Sequence, residues 1–125
     1  MTDSRHAETI EALADRIFAA IEAGDAATIA SLWADDVVVW HNTDGIEQDK
    51  AANLRALERM VGTTASRSYR DIRRTVVAGG FVQQHVLHLE TSDGRSADLP
   101  AALFVEISDG QVTRIDEYLD GVAIA

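Results

Sequence analysis

The stretch GFVQQHVLHLETSDGRSADLPAALFVEISDGQVTRIDEYLD, residues 80–120, decides the fold. Alternation divides it into three strands, 80–91, 96–108 and 111–120. They are joined at Asp93-Gly94 and Asp109-Gly110, dipeptides favoured in tight hairpins because they tolerate positive φ. Gly79-Gly80 joins the first of the three to a preceding strand over 67–78. Short connections between alternating segments predict an antiparallel meander. The two-residue period also assigns faces. Phe81, Gln83, His85, Leu87 and Leu89 share one face. Leu99, Ala101, Leu103, Val105 and Ile107 form a wholly apolar one, and Thr113, Ile115, Glu117 and Leu119 a third. Any one-residue bulge reverses such an assignment beyond it.

Upstream the period changes to that of a helix. Ile10, Leu13, Ala14, Ile17, Phe18 and Ile21 lie on one helical face, and Gly24 is placed to end that helix. Asp25 reads as the N-cap of a second, shorter helix with Ile29, Leu32 and Trp33 inward, closed by Asp35-Asp36. VVVW, residues 37–40, is a β-branched run that predicts a strand. Residues 41–45, HNTDG, are turn chemistry, and a third helix follows over about 49–61 with Leu54, Leu57 and Val61 as its buried stripe. Helices first and a run of strands after them predict an α+β fold.

Composition narrows the function classes. The 125 residues predict one domain over 1–125, with 46% hydrophobic and 26% charged residues, a globular balance. No apolar run of about 18 residues exists for a membrane span, and the polar start MTDSRHAETIEALADR does not read as a secretory signal. The chain is therefore expected to be soluble and cytoplasmic. The absence of cysteine excludes disulfides and thiolate chemistry. With 21 acids, 11 bases and a formal charge of −10, the chain lacks the clustered cations that neutralise phosphates. Arg67, Arg70, Arg73 and Arg74 are too few for a basic face. A nucleic-acid partner is not expected; a small molecule or another protein is.

The order of elements then resembles a known family. A helix, Gly24-Asp25, a second helix with Trp33, Asp35-Asp36, a short strand, a third helix and a meander closing on GQVTRIDEYLD are similar to the NTF2-like superfamily. Within it the chain most resembles the SnoaL-like group, related to polyketide cyclases, ketosteroid isomerase and limonene epoxide hydrolase. The resemblance implies a cone, in which three N-terminal helices pack in the concave face of a curved, mostly antiparallel sheet. An apolar pocket opens at one end, and dimers often form through the outer sheet face. Glu117 before Tyr118 matches the water-activating carboxylate of limonene epoxide hydrolase. Its Arg and Asp two residues apart match Gln83 and His85, so that charged pair is absent. Its Tyr and Asn match Trp40 and Asn42. The ketosteroid isomerase Tyr has no counterpart on the first helix, and the base of that enzyme matches the region of His41 and Asn42.

His85 and Glu117 are the expected catalytic pair. Imidazole titrates near neutral pH, and a carboxylate between Ile115 and Leu119 is out of place unless paired or working. One intervening strand sets them about 10 Å apart across the sheet. Trp40, His41, Asn42, Gln83, Leu99, Ala101 and Leu119 are the expected substrate-binding residues. His41 has two readings: outward, if Trp40 and Asn42 face inward, or turned to the pocket mouth. His41, His85 and Glu117 could formally supply two His and a carboxylate to a metal. Their spacing forms no motif, and the related enzymes work without one, so neither metal nor cofactor is expected.

Three functions fit these residues. The first is an enzyme acting by proton transfer or water activation (isomerisation, cyclisation or water addition) on a small apolar or aromatic substrate. The second is a non-catalytic module that holds a hydrophobic ligand. The third is a protein-interaction domain. Val82, Val86, Ala102 and Phe104 on the outer strand faces predict a homodimer, since a monomer would expose them as a patch.

Overall fold

A computed structural model of the chain describes residues 4–120. Three helices and six strands follow in the order α1 (Ser4–Ala23), α2 (Ala26–Leu32), β1 (Trp33–His41), β2 (Glu47–Gln48), α3 (Lys50–Thr63), β3 (Thr64–Val77), β4 (Gly80–Thr91), β5 (Ser96–Ser108) and β6 (Gln111–Leu119). The strands form one curved, mixed sheet in the order β2-β1-β6-β5-β4-β3. β3 through β6 are the expected antiparallel meander. β1 pairs parallel to β6, which makes the sheet mixed and leaves β2 and β3 at its edges.

Local chemistry sets the helix ends. Gly24, at φ 70°, turns the chain out of α1, and the amide of Asp25 donates to the Ala20 carbonyl at 2.8 Å. The Asp25 carboxylate accepts from the Thr28 amide and the Asp49 carboxylate from the Ala52 amide, capping α2 and α3. Arg67 donates to the Ile21 and Glu22 carbonyls. A cation thereby satisfies the carbonyl end of α1, where the helix dipole is negative.

The core joins Ile10, Leu13, Ala14, Ile17 and Phe18 of α1 and Ile29 and Leu32 of α2 to sheet residues including Val37, Val39, Phe81, Leu103, Val105 and Val112. The face assignments for β4 and β5 match this burial. Phe81, Gln83, His85 and Leu89 are buried on β4, as are Leu99, Leu103 and Val105 on β5.

Three local expectations change. Trp33 is not in α2: it opens β1, 3% exposed, and pairs with Val112. Sheet pairing and burial outweigh one more turn of a seven-residue helix. Asp35 and Asp36 are accordingly exposed residues within a strand. On β6, a bulge between Glu106 and Ile107 shifts the register, so Val112 rather than Thr113 takes the inward place. On α3 the most buried position is Asn53, with Leu54 and Leu57 packed partly against the core.

Candidate functional site

Parallel pairing of β1 with β6 puts His41 in register with Glu117. Val37 and Val39 are buried, so the two-residue period turns His41 to the same side and Trp40 to the other. His41 Nε2 lies 3.0 Å from Glu117 Oε1. The two side chains are 24% and 21% exposed, neither solvated nor sealed. The Glu117 hydrogen bond holds the His41 pKa above its ordinary value against the opposing effect of burial, with the charges of Glu117 and Asp44 adding to the rise.

This pair occupies a neck. On one side is an inner cavity of about 230 Å³ whose walls include Phe18, Trp33, Leu57 and Val105. On the other is a wider cleft of about 960 Å³ bordered by Leu99, Ala101, Leu119, Arg59 and Arg95. His41, Ala56, Met60, Leu87 and Glu117 line both. The inner cavity is apolar except for a few polar groups, the usual make-up of a small-molecule site. Asn53, 9% exposed, is one of them, and Tyr69 is another. Burial pushes the Tyr69 phenol well above its ordinary range, and the negative charges of Glu117 and Glu22 push it further, so it remains a neutral donor. The indole Nε1 of Trp33 is buried with no partner among the described residues. Such an orphaned donor costs about 1–3 kcal/mol.

His85 is not paired with Glu117. Its Nδ1 lies 2.8 Å from the Gln83 amide nitrogen, and its ring packs edge-on against Tyr69 and Phe18, with centroids 4.7 and 5.7 Å away. The expectation that His85 and Glu117 face one cavity is corrected: Glu117 lines both the inner cavity and the outer cleft, His85 lines neither, and the parallel β1–β6 ladder brings His41 beside Glu117 instead. Burial holds the His85 pKa below its ordinary value; the Glu117 charge opposes this and the Arg74 charge adds to it. Gln83, 1% exposed, is committed to Arg74 and His85 rather than to the cavity wall.

Trp40, expected at the pocket wall, lies on the opposite face of the sheet, its ring 5.2 Å from that of Tyr118. Asn42 is likewise outside the cavity. Its amide donates to the Glu117 carbonyl and its side-chain oxygen accepts from the Leu119 amide. It therefore ties the end of β1 to β6 and holds the backbone on which both His41 and Glu117 stand. Leu99, Ala101 and Leu119 border the outer cleft.

Asn53 and Tyr69, which bring polar groups to the inner cavity, were not among the residues expected there. A signal for Asn53 exists in the sequence, a polar residue four before Leu57 on the apolar stripe. Tyr69 had none, because a bulge at Asp71, with φ 55° and a register shift between Arg70 and Arg73, hides the facing of β3. Among the described residues no group of three His, Asp or Glu side chains could hold a metal ion, and no helix is long and apolar enough to cross a membrane.

The family model for the SnoaL-like domain matches residues 14–115. The chain belongs to the SnoaL-like domain family. Its fold is also that of solved structures. A candidate polyketide cyclase from Xanthomonas campestris pv. campestris is 25% identical with a TM-score of 0.79, over 90% of this chain and 91% of that one. Another, from Pseudomonas putida KT2440, is also 25% identical with a TM-score of 0.77, over 90% and 92%. An LEH-like epoxide hydrolase from M. tuberculosis shares the fold at 17% identity and a TM-score of 0.77, over 93% and 86%. Comparison of the sequence with curated proteins finds no match. As a SnoaL-like protein of the NTF2-like class, the chain has a fold that hosts several reactions, so its chemistry must be argued from the site itself.

Proposed function

We propose that this SnoaL-like protein is an enzyme that carries out general acid–base chemistry on a small apolar or aromatic molecule. The three helices fill the concave face of the sheet around the substrate. One observation carries the reading: the His41–Glu117 pair, at 3.0 Å, stands at the neck where the open cleft meets the apolar inner cavity. The Glu117 carboxylate accepts a proton from a carbon acid or from an attacking water. The His41 imidazolium, whose charged form that carboxylate favours, returns one to the developing oxygen or leaving group. Tyr69 and Asn53 supply neutral hydrogen bonds to a carbonyl or hydroxyl. Isomerisation, cyclisation and water addition all fit this set, and relatives described as cyclases and as an epoxide hydrolase support that range.

A thermal-shift screen with steroids, terpenoids and aromatic polyketides identifies the ligand, because binding to the folded state raises its stability by mass action. Glu117→Gln then tests the assignment: turnover is lost and binding is kept. A second reading has an observation of its own. A closed His–Glu pair also serves as a plain structural ion pair, and in that case the cavity is a non-catalytic carrier site and Glu117→Gln loses no activity.

We also propose a homodimer. Phe104 and Tyr118 are 52% and 49% exposed, and the Phe104 and Trp40 rings both lie against Tyr118 on the sheet face away from the core. A second copy of this chain would cover that patch.

A further inference from the structure

Along α3, Asn53, Ala56, Leu57 and Met60 recur at the spacing of one helix face, and all four line the inner cavity. Ala56 and Met60 also border the outer cleft; Asn53 and Leu57 do not, so they stand inward of the neck. Asn53 is the polar member of this apolar face and is 9% exposed. Its backbone N–H is used within the helix, donating to the Asp49 carbonyl at 3.0 Å. Its side-chain amide has no hydrogen-bond partner among the described residues and, unlike the indole Nε1 of Trp33, it is not sealed. A buried amide left unpaired costs about 1–3 kcal/mol, whereas a leucine at the same place on the stripe carries no such cost. The amide both donates and accepts, and a hydroxyl is the small neutral group that answers both. An anion is disfavoured there, because no Arg or Lys lines the inner cavity and Glu117 does.

We propose that Asn53 is a specificity-determining residue, which selects for the inner cavity a neutral one- or two-ring compound carrying a hydroxyl in addition to the oxygen that reacts at the neck. Which oxygen reacts rests on the acid–base reading above; the second oxygen rests on the facing of α3. Tyr69 serves the reacting oxygen. It stands on β3, lines the inner cavity, and feels the charge of Glu117, so its neutral phenol belongs to that end. At about 230 Å³ the inner cavity lies below the ~300 Å³ at the low end of usual ligand sites. A four-ring skeleton therefore leaves part of itself in the outer cleft, and a compact hydroxyketone does not.

The test compares 6-hydroxy-2-tetralone with 2-tetralone, the same ketone without the hydroxyl, by isothermal titration calorimetry. The wild type binds the hydroxyketone about tenfold more tightly, the effect of one hydrogen bond to an amide otherwise unpaired. Asn53→Leu keeps the bulk and removes the amide, and in it the two ketones bind alike. 2-Tetralone binds that variant at least as well as the wild type, because no polar group is left bare. Asn53→Ala gives the same equal binding and stands in if the leucine variant does not fold. Equal affinities in the wild type, no binding of the hydroxyketone up to its solubility limit, or a preference that survives in either folded variant overturns the proposal. Glu117→Gln keeps the preference, since the hydroxyl is held away from the neck. Its turnover is a separate measurement, so the catalytic reading can fail while the role of Asn53 stands, and the reverse.

Discussion

Glu117 of β6 lies in register with His41 of β1, and their side chains meet at 3.0 Å although they come from the last and first strands of the chain. The pair is held from behind by Asn42, whose amide donates to the Glu117 carbonyl at 3.0 Å and whose side chain accepts from the Leu119 amide at 2.8 Å. Backbone pairing thus places two titratable groups in contact at the neck of a cavity, and the contact has consequences for catalysis, pH dependence and stability.

Replacing either member removes one half of the proposed proton traffic. Glu117→Gln and His41→Gln are each expected to lower turnover of the ligand found by screening by about 10²–10⁴-fold, the usual contribution of a positioned acid or base. Binding measured by thermal shift stays within a few-fold of wild type. Full turnover in both variants favours the carrier reading.

The His41 pKa is raised in the folded protein, chiefly by its hydrogen bond to Glu117. A raised folded pKa means that the pair's contribution to stability is fully present below the unfolded-state value of about 6.5. It is lost as pH rises through the folded-state value. Urea melts across that window are expected to lose stability on the order of 1 kcal/mol in the wild type and to show less pH dependence in Glu117→Gln. An NMR titration of His41 checks the cause, since its midpoint falls in the Gln variant.

Gly80 opens β4 with its Cα against β5. A Cβ added there would overlap the Val105 carbonyl oxygen, and φ is 156°. Gly80→Ala is expected to cost about 1–3 kcal/mol, as over-packing does, read as a lower urea midpoint. Gly45→Ala, with nothing within 4 Å of its added Cβ, serves as the comparison in which only the positive φ is strained.

The outer aromatic patch predicts a dimer in light scattering at micromolar concentration. Phe104→Glu introduces a charge into that patch and is expected to give a folded monomer. A wild-type monomer under the same conditions argues against the interface.

The meander was legible because local signals agree there. Period-two alternation, Asp93-Gly94 and Asp109-Gly110 all report the same strands, and the burial of Phe81, His85, Leu99 and Leu103 follows from that period. His85 and Glu117 were visible as polar groups on apolar faces for the same reason. What alternation cannot carry is an offset. The bulge at Asp71 hid Tyr69, and the one before Ile107 exchanged Val112 for Thr113. Nor does a local period say which distant strand lies alongside. Parallel pairing of β1 with β6 is a long-range contact driven by shared burial and backbone hydrogen bonding, and no residue near His41 encodes it. That pairing turned Trp40 and Asn42 out and His41 in, and gave Glu117 a partner other than His85. The sequence by itself determined the elements, their order and the polar residues available; only the tertiary structure decided which of them touch.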